Sequence, residues 1–216
     1  FCLVRTDPTA EKKQRGISLL VFPMDSPGVT LRPIQLIDGG HEVNEVFFED
    51  VRVPAENLIG EENRGWDYAK FLLGNERVGI ARIGSSKRLL AQAKAYAQEV
   101  TVAGRPLAEE PRMADRIAEL ENELLALELT ALRVVAHSAD GKPHPASSVL
   151  KLRGSELQQD ITELVVDIAG PLSLSSFADG GSEVPDWARV ATPEYLNYRK
   201  VSIYGGSNEV QRTIIA

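Results

Sequence analysis

Apolar positions along this chain change their period once. Over residues 1 to about 58 they form short β-rich runs with rough alternation, and beyond Gly60 they recur every three to four residues. The first regime predicts strands and the second helices. Ile17–Phe22 is a β-rich run stopped by Pro23, Val29–Ile37 alternates with Pro33 marking an edge or a bend, and Val43–Val53 is a third run closed by Pro54. Asp25-Ser26-Pro27-Gly28 and Asp38-Gly39-Gly40 separate the runs as turns. Phe1-Cys2-Leu3-Val4 reads as a strand already under way, and Thr213-Ile214-Ile215-Ala216 as a helical turn without a C-cap, so both ends are read as cuts in a longer chain. Three or four such strands make part of an antiparallel sheet or barrel, whose edges call for further strands.

In the second regime, Trp66 to about Glu99 reads as one long helix, weakened by Gly74, Gly79 and Gly84. Gly104, Pro106 and Pro111 mark a loop. Arg112–Ala139 is the clearest helix: Met113, Ile117, Leu120, Leu124, Leu127, Ala131 and Val134 alternate steps of four and three, the spacing of a bundle seam. Pro143 and Pro145 close the next loop, and Ala146–Ala169 is a third helix with Leu150, Leu157, Ile161, Leu164 and Ile168 on one face. Residues 170–193, rich in Gly, Pro and Ser, are expected to be irregular. Glu194–Tyr204 and Ser207 onward are short helical segments joined by Gly205-Gly206. The expected class is therefore α+β, with strands in 1–60 and an all-α bundle in 61–216.

Composition narrows the function classes. The 216 residues are 43% hydrophobic and 25% charged, values of an ordinary globular protein. A net charge of −7 without a basic cluster disfavours nucleic acid and anionic membranes as partners. The single cysteine, Cys2, cannot form an internal disulfide, which fits a reducing cytoplasm. No apolar run approaches membrane-spanning length. Glycine-rich dinucleotide loops, P-loops, metal-ligand spacings and serine nucleophile elbows are all missing, and His41, His137 and His144 are scattered. No metal site is expected.

Two places can carry chemistry. On a helix, Glu76 has Leu72, Leu73, Gly79 and Ile80 as its neighbours, with Ala69 and Ile83 one turn further. A carboxylate within an apolar stripe has its pKa raised by burial, as a general base or acid requires. The alternative is a carboxylate paired with a cation from another helix, or one reaching water at the stripe's edge. Arg77 points about 100° away, towards small Gly74, Ala81 and Gly84, and suits either a ligand contact or a bridge between helices. The second place is Tyr204-Gly205-Gly206-Ser207-Asn208-Glu209. Paired glycines free the backbone, and Ser207 can cap the helix that follows, whose N-terminus suits an anionic or electron-rich ligand. A plain helix-turn-helix corner is the competing reading.

Longer stretches carry a resemblance. Val46-Phe47-Phe48-Glu49-Asp50-Val51-Arg52-Val53-Pro54, then Asn57-Leu58-Ile59-Gly60 and Gly65-Trp66, resemble the β-to-helix junction of the acyl-CoA dehydrogenases. Glu76-Arg77 with Ala81 and Gly84 is similar to the start of their first C-terminal helix, and Ile203–Ala216 to their C-terminal signature. Phe71–Arg77 and Leu150-Lys151-Leu152-Arg153-Gly154 are also similar to the large subunit of bacterial pimeloyl-CoA-type dehydrogenases. The resemblance implies the end of a middle β domain over 1–60 and a C-terminal four-helix bundle over 61–216. It implies a flavoenzyme using FAD that removes the α-proton of an acyl-CoA while a β-hydride moves to the flavin. Many members carry their base just after the signature tyrosine, where this chain has Gly205; others carry it on the first bundle helix, at the position of Glu76. The resemblance thus implies Glu76 as the base and the Gly205 backbone N–H as donor to the thioester oxygen. Asn75, Arg77 and Gly206 would meet substrate, and Ser207, Asn208 and Glu209 would lie near FAD.

The chain departs from the family in two places. Where members have an arginine that binds the FAD pyrophosphate of a neighbouring subunit, followed by Phe-Gly, this chain has Val100 and then Ala103-Gly104. The FAD-adenine loop is altered to Ala169-Gly170-Pro171-Leu172-Ser173. Both departures speak against FAD binding across subunits by this chain, and Val100 implies a hetero-oligomer in which a related subunit supplies the arginine; the alternative is that Arg105, five residues on, reaches the pyrophosphate. An electron-transfer flavoprotein is a suitable electron acceptor. The alternatives are a non-catalytic partner subunit, or an acyl-CoA oxidase or flavin monooxygenase of the same fold.

Overall fold

The structure, a computed structural model, describes residues 1–137, 146–175 and 183–216; the side chains of 73–78 and 80 lie outside the description. Two compact units divide the chain, one of Phe1–Leu36 with Gly40–Asn75, the other of Glu76–Ala216 with Ile37–Gly39.

In the first unit, β1 (Cys2–Arg5) pairs antiparallel with β2 (Ile17–Leu20), Cys2 opposite Leu20. Strands β3 (Val29–Ile34) and β4 (Val43–Phe48) form a second antiparallel ribbon, Val29 opposite Phe48. Pro33, which has no amide hydrogen to donate, sits opposite Asn44 in a two-stranded ribbon where such a donor is dispensable. Gly28 enters β3 at φ +90°, and a Cβ there would stand 2.1 Å from the Glu49 carbonyl oxygen, so glycine is required. The buried Ser18 hydroxyl lies 2.7 Å from Thr6 Oγ1 and accepts from the Asn63 amide at 2.7 Å, tying β2 to the loop before the first helix.

That helix, α1, runs Gly65–Ile80, and α2 follows over Ile83–Glu99. The single helix expected over 66–99 is thus broken, because Arg82 adopts a left-handed conformation, φ +48°. The break goes with a close approach. Ala81 is wholly buried, and a Cβ on Gly154 would lie 2.7 Å from the Ala81 Cα. Beyond α2, the stretch expected as loop holds a small hairpin, β5 (Thr101–Val102) with β6 (Arg105–Pro106), turning on Ala103 and Gly104 at positive φ. Two residues per strand leave no periodicity to detect.

Helix α3 spans Pro111–His137 and α4 spans Ser147–Ala169. The seam of α3 is buried at Ile117, Leu120, Leu124, Leu127, Ala131 and Val134, as its spacing predicts. Residues 170–193 were expected to be irregular, yet α5 covers Asp186–Tyr198 with Pro193 inside it. Tertiary packing overrides local composition there: Ala188 and Ala191 are buried, and Trp187 stacks on Tyr96 of α2 with ring centroids 4.2 Å apart. A short helix, α6 (Asn208–Ile215), ends the chain. Helix α4 is central, touching α2, α3, α5 and α6. Its Leu150, Leu157, Ile161, Leu164 and Ile168 are almost fully buried, each contributing about 1.5–3 kcal/mol of burial free energy. Among the described residues, no helix is long and apolar enough to cross a membrane.

Candidate functional site

The turn between α5 and α6 is built from glycine chemistry and caps. Gly205 and Gly206 take φ of +67° and +86°, a region L-residues avoid. Tyr204, Gly205 and Gly206 are exposed, so a bare strip of backbone faces outward. Ser207 caps α6 as expected, its hydroxyl accepting from the Val210 amide at 3.4 Å. Glu209 is exposed, and its own backbone amide and the Ser207 hydroxyl hold its carboxyl below the usual carboxylate range. Gln211, nearly fully buried, donates from Nε2 to the Gly206 carbonyl at 3.2 Å. Its Oε1 is buried without a hydrogen-bond partner among the described residues.

Asn208 is placed differently from its neighbours. Only 6% exposed, it accepts at Oδ1 from Lys151 Nζ at 2.8 Å, with Ser155 Oγ at 3.0 Å. Its carbonyl is therefore committed to α4. The Ser155 hydroxyl also lies 2.8 Å from the Leu152 carbonyl, and its one hydrogen serves one acceptor at a time. Lys151, Ser155 and Gln211 carry this network, and motif reading missed all three. A signal was available in Ser148, Lys151, Ser155, Gln158 and Thr162. These are polar residues at steps of three and four beside the apolar seam of α4, and all are buried. Two periodic stripes on one helix mark an element covered on most sides.

Asn75, Glu76 and Arg77 lie near the end of α1, and their side chains are outside the described residues. Part of the stripe expected to bury Glu76 is open among the described residues. Leu72 is 50% exposed and Gly79 is exposed, while Ala69 and Ile83 are half-buried. Leu72 and Gly79 thus stand open among the described residues, while Ile83 packs against the bundle core. Val100 is the C-cap of α2, packed partly buried against the core, and its carbonyl accepts from the Leu107 amide at 2.7 Å. Arg105 is exposed on β6. Gly170 ends α4 at φ +53°. Among the described residues, no group of three or more His, Cys, Asp or Glu side chains could hold a metal.

The glycine turn suits a flat, polar group. Its exposed backbone carries no side chain, a Cβ on Gly206 would fall 2.5 Å from Gln211 Nε2, and the α6 N-terminus adds positive potential.

Comparison with known proteins gives this geometry a context. The model of the acyl-CoA dehydrogenase C-terminal domain matches residues 63–216. The acyl-CoA dehydrogenase IpdE1 of Mycobacterium tuberculosis is 35% identical over all of this chain and 53% of its own length. The mouse mitochondrial short-chain-specific acyl-CoA dehydrogenase is 30% identical over 95% of the chain and 48% of its own length. Among solved structures, the ChsE4–ChsE5 complex from Mycobacterium tuberculosis superposes with a TM-score of 0.78 at 28% identity, and the Tcur3481–Tcur3483 steroid ACAD with 0.79 at 27%. Each covers 99% of this chain and 54% of the matched one. The chain spans about half the length of the curated relatives it matches. With a family model over most of its length, relatives along all of it and the same helical architecture, this chain belongs to the acyl-CoA dehydrogenase family.

Proposed function

We propose that this chain serves the flavin-dependent α,β-dehydrogenation of an acyl-CoA thioester, with residues 1–60 from the middle β domain and 61–216 from the C-terminal bundle. The observation that carries this reading is the exposed, side-chain-free Gly205–Gly206 backbone at the capped start of α6, within a chain of this family. FAD, when bound, supplies the hydride acceptor. The Gly205 N–H donates to the thioester carbonyl oxygen and favours the charge that develops there. Glu76, on α1, takes the α-proton on its carboxylate, since Gly205 leaves no carboxylate after Tyr204. Asn75, Arg77 and Gly206 line the acyl-CoA side. Ser207, Asn208 and Glu209 lie near the cofactor, Asn208 with its carbonyl held by Lys151. The half-exposed Leu72 on α1 suits an acyl group as its cover.

A ring-bearing acyl-CoA is the substrate class favoured by the likeness to a steroid enzyme. The same likeness, and that to a complex named for two proteins, supports a hetero-oligomer with a related subunit. Val100, apolar and packed inward, offers the FAD pyrophosphate no charge, which favours the same assembly. An electron-transfer flavoprotein is the fitting electron acceptor, and the cytoplasm the fitting compartment.

The test is Glu76→Gln in the native holoenzyme, assayed with ring-bearing and straight-chain CoA thioesters. Turnover should fall by roughly 10²–10⁴-fold with the fold retained. Wild-type turnover would remove Glu76 as the base.

A further inference from the structure

We infer that Lys151, on α4, is a positioning residue that sets the place of the Gly205–Gly206 backbone by holding Asn208, the first residue of α6. The inference rests on the reading of that backbone as the thioester site. Lys151 is 0% exposed, and among the described residues no other side chain buried so completely is larger. Its Nζ donates to Asn208 Oδ1 at 2.8 Å across fifty-seven residues of sequence. Burying an ammonium is costly unless it is hydrogen-bonded, so a purely structural post at this position is better filled by an apolar side chain. Here the ammonium sits at the N-terminal end of α6, which is itself a positive pole, and the arrangement is doubly unfavourable for a cation. The compensating groups are the Asn208 carbonyl and the Glu209 carboxylate, both in the first turn of α6. Burial lowers the lysine's pKa while Glu209 opposes that shift.

What the lysine secures is the direction of one short helix. Asn208 is two residues from Gly206, and Gln211 reaches back to the Gly206 carbonyl from the same turn of α6. With α6 pinned at Asn208, the Ser207 cap and the two glycines cannot slide along α4. An N–H donor that must meet a thioester oxygen tolerates little error, since a displacement of about 1 Å can lower rates by on the order of 10²-fold. Ser155 is the weaker second anchor, because its single hydrogen is shared with the Leu152 carbonyl.

The experiment uses the native holoenzyme with Lys151→Met, Lys151→Arg and Ser155→Ala, and with Glu76→Gln alongside. Two readouts are taken: amide hydrogen exchange over residues 203–211, and kcat and KM with an acyl-CoA. Lys151→Met should speed exchange at Val210 and Gln211 while α3 keeps its protection, and should lower kcat by about ten- to hundred-fold with a smaller change in KM. Lys151→Arg should recover part of both effects, and Ser155→Ala should change either by only a few-fold. If Lys151→Met does not fold, Asn208→Ala reads the same link from its other end. Unchanged exchange over 203–211 overturns the inference whatever the kinetics. Faster exchange with wild-type kcat also overturns it, by separating the turn from the reaction. Wild-type turnover in Glu76→Gln, by contrast, fails the base assignment and leaves the exchange result to judge Lys151 on its own.

Discussion

Gly206 shows how much a single residue is asked to do. Its φ of +86° costs an L-residue roughly 1–2 kcal/mol, and a Cβ would also push on Gln211 Nε2 from 2.5 Å. Gly206→Ala should therefore lower the urea midpoint of the bundle by the equivalent of about 1–2 kcal/mol, and it should weaken acyl-CoA binding as the turn shifts. An unchanged midpoint would mean that the turn relaxes freely. At this scale the sequence was informative where one residue type has one physical use. Paired glycines before a serine announced a turn and a cap, and Ser207 caps α6. Asn208 was less legible, because an asparagine faces a ligand or a buried lysine equally well until the partner helix is known. Lys151 was overlooked for the opposite reason, since lysine is so seldom buried that its place in a periodic polar stripe was not weighed.

Among the elements, α4 combines the best-buried surface with an exposed acidic margin. Asp160 stands on that margin, and its carboxyl is raised above 3.8 chiefly by desolvation, then by Glu123, Glu163 and Glu156, with Arg116 opposing. A carboxyl whose folded pKa is raised holds its proton more tightly when folded. Its contribution to stability is then fully present below the unfolded value and is lost as pH rises through the folded one. Asp160→Asn should accordingly stabilise the protein at pH 7, and the gain should disappear below about pH 4. Urea midpoints for parent and variant at pH 7 and pH 3 decide it, and an equal gain at both would refute the electrostatic cause. The elements were legible in proportion to their periodicity. The α3 seam follows seven apolar positions at steps of three and four, and six of them are buried. The break between α1 and α2 goes with Gly154 meeting Ala81, a contact invisible in local sequence. Helix α5 was hidden by its proline and recovered by packing against Tyr96.

For the whole molecule, the telling surface is on α3. Leu125, Leu129, Leu132 and Val135 are each more than half exposed and follow one another at steps of four and three along one side of the helix. An apolar stripe of this length suits burial against another subunit, in keeping with the proposed hetero-oligomer. Co-expression with a related dehydrogenase subunit should yield about one FAD per unlike pair, whereas one FAD per chain in an active homo-oligomer would exclude the arrangement; flavin absorbance against protein concentration measures it. Periodicity placed the buried seam of α3 but did not single out this second, exposed stripe, because what stays open depends on where α4 docks. The docking of α4 also bears on how the chain reaches its final form. Helix α6 has eight residues, fewer than the roughly 12–15 that an isolated helix needs in water. It gains its shape by landing on α4, where Lys151 holds Asn208. In refolding, the α3–α4 pair can form from neighbouring segments, while α6 must wait for a finished surface on which to settle. The glycine turn is then the last feature to mature: substitutions in α6 should speed unfolding while leaving the refolding rate almost untouched, so that competence for substrate lags behind compaction of the bundle.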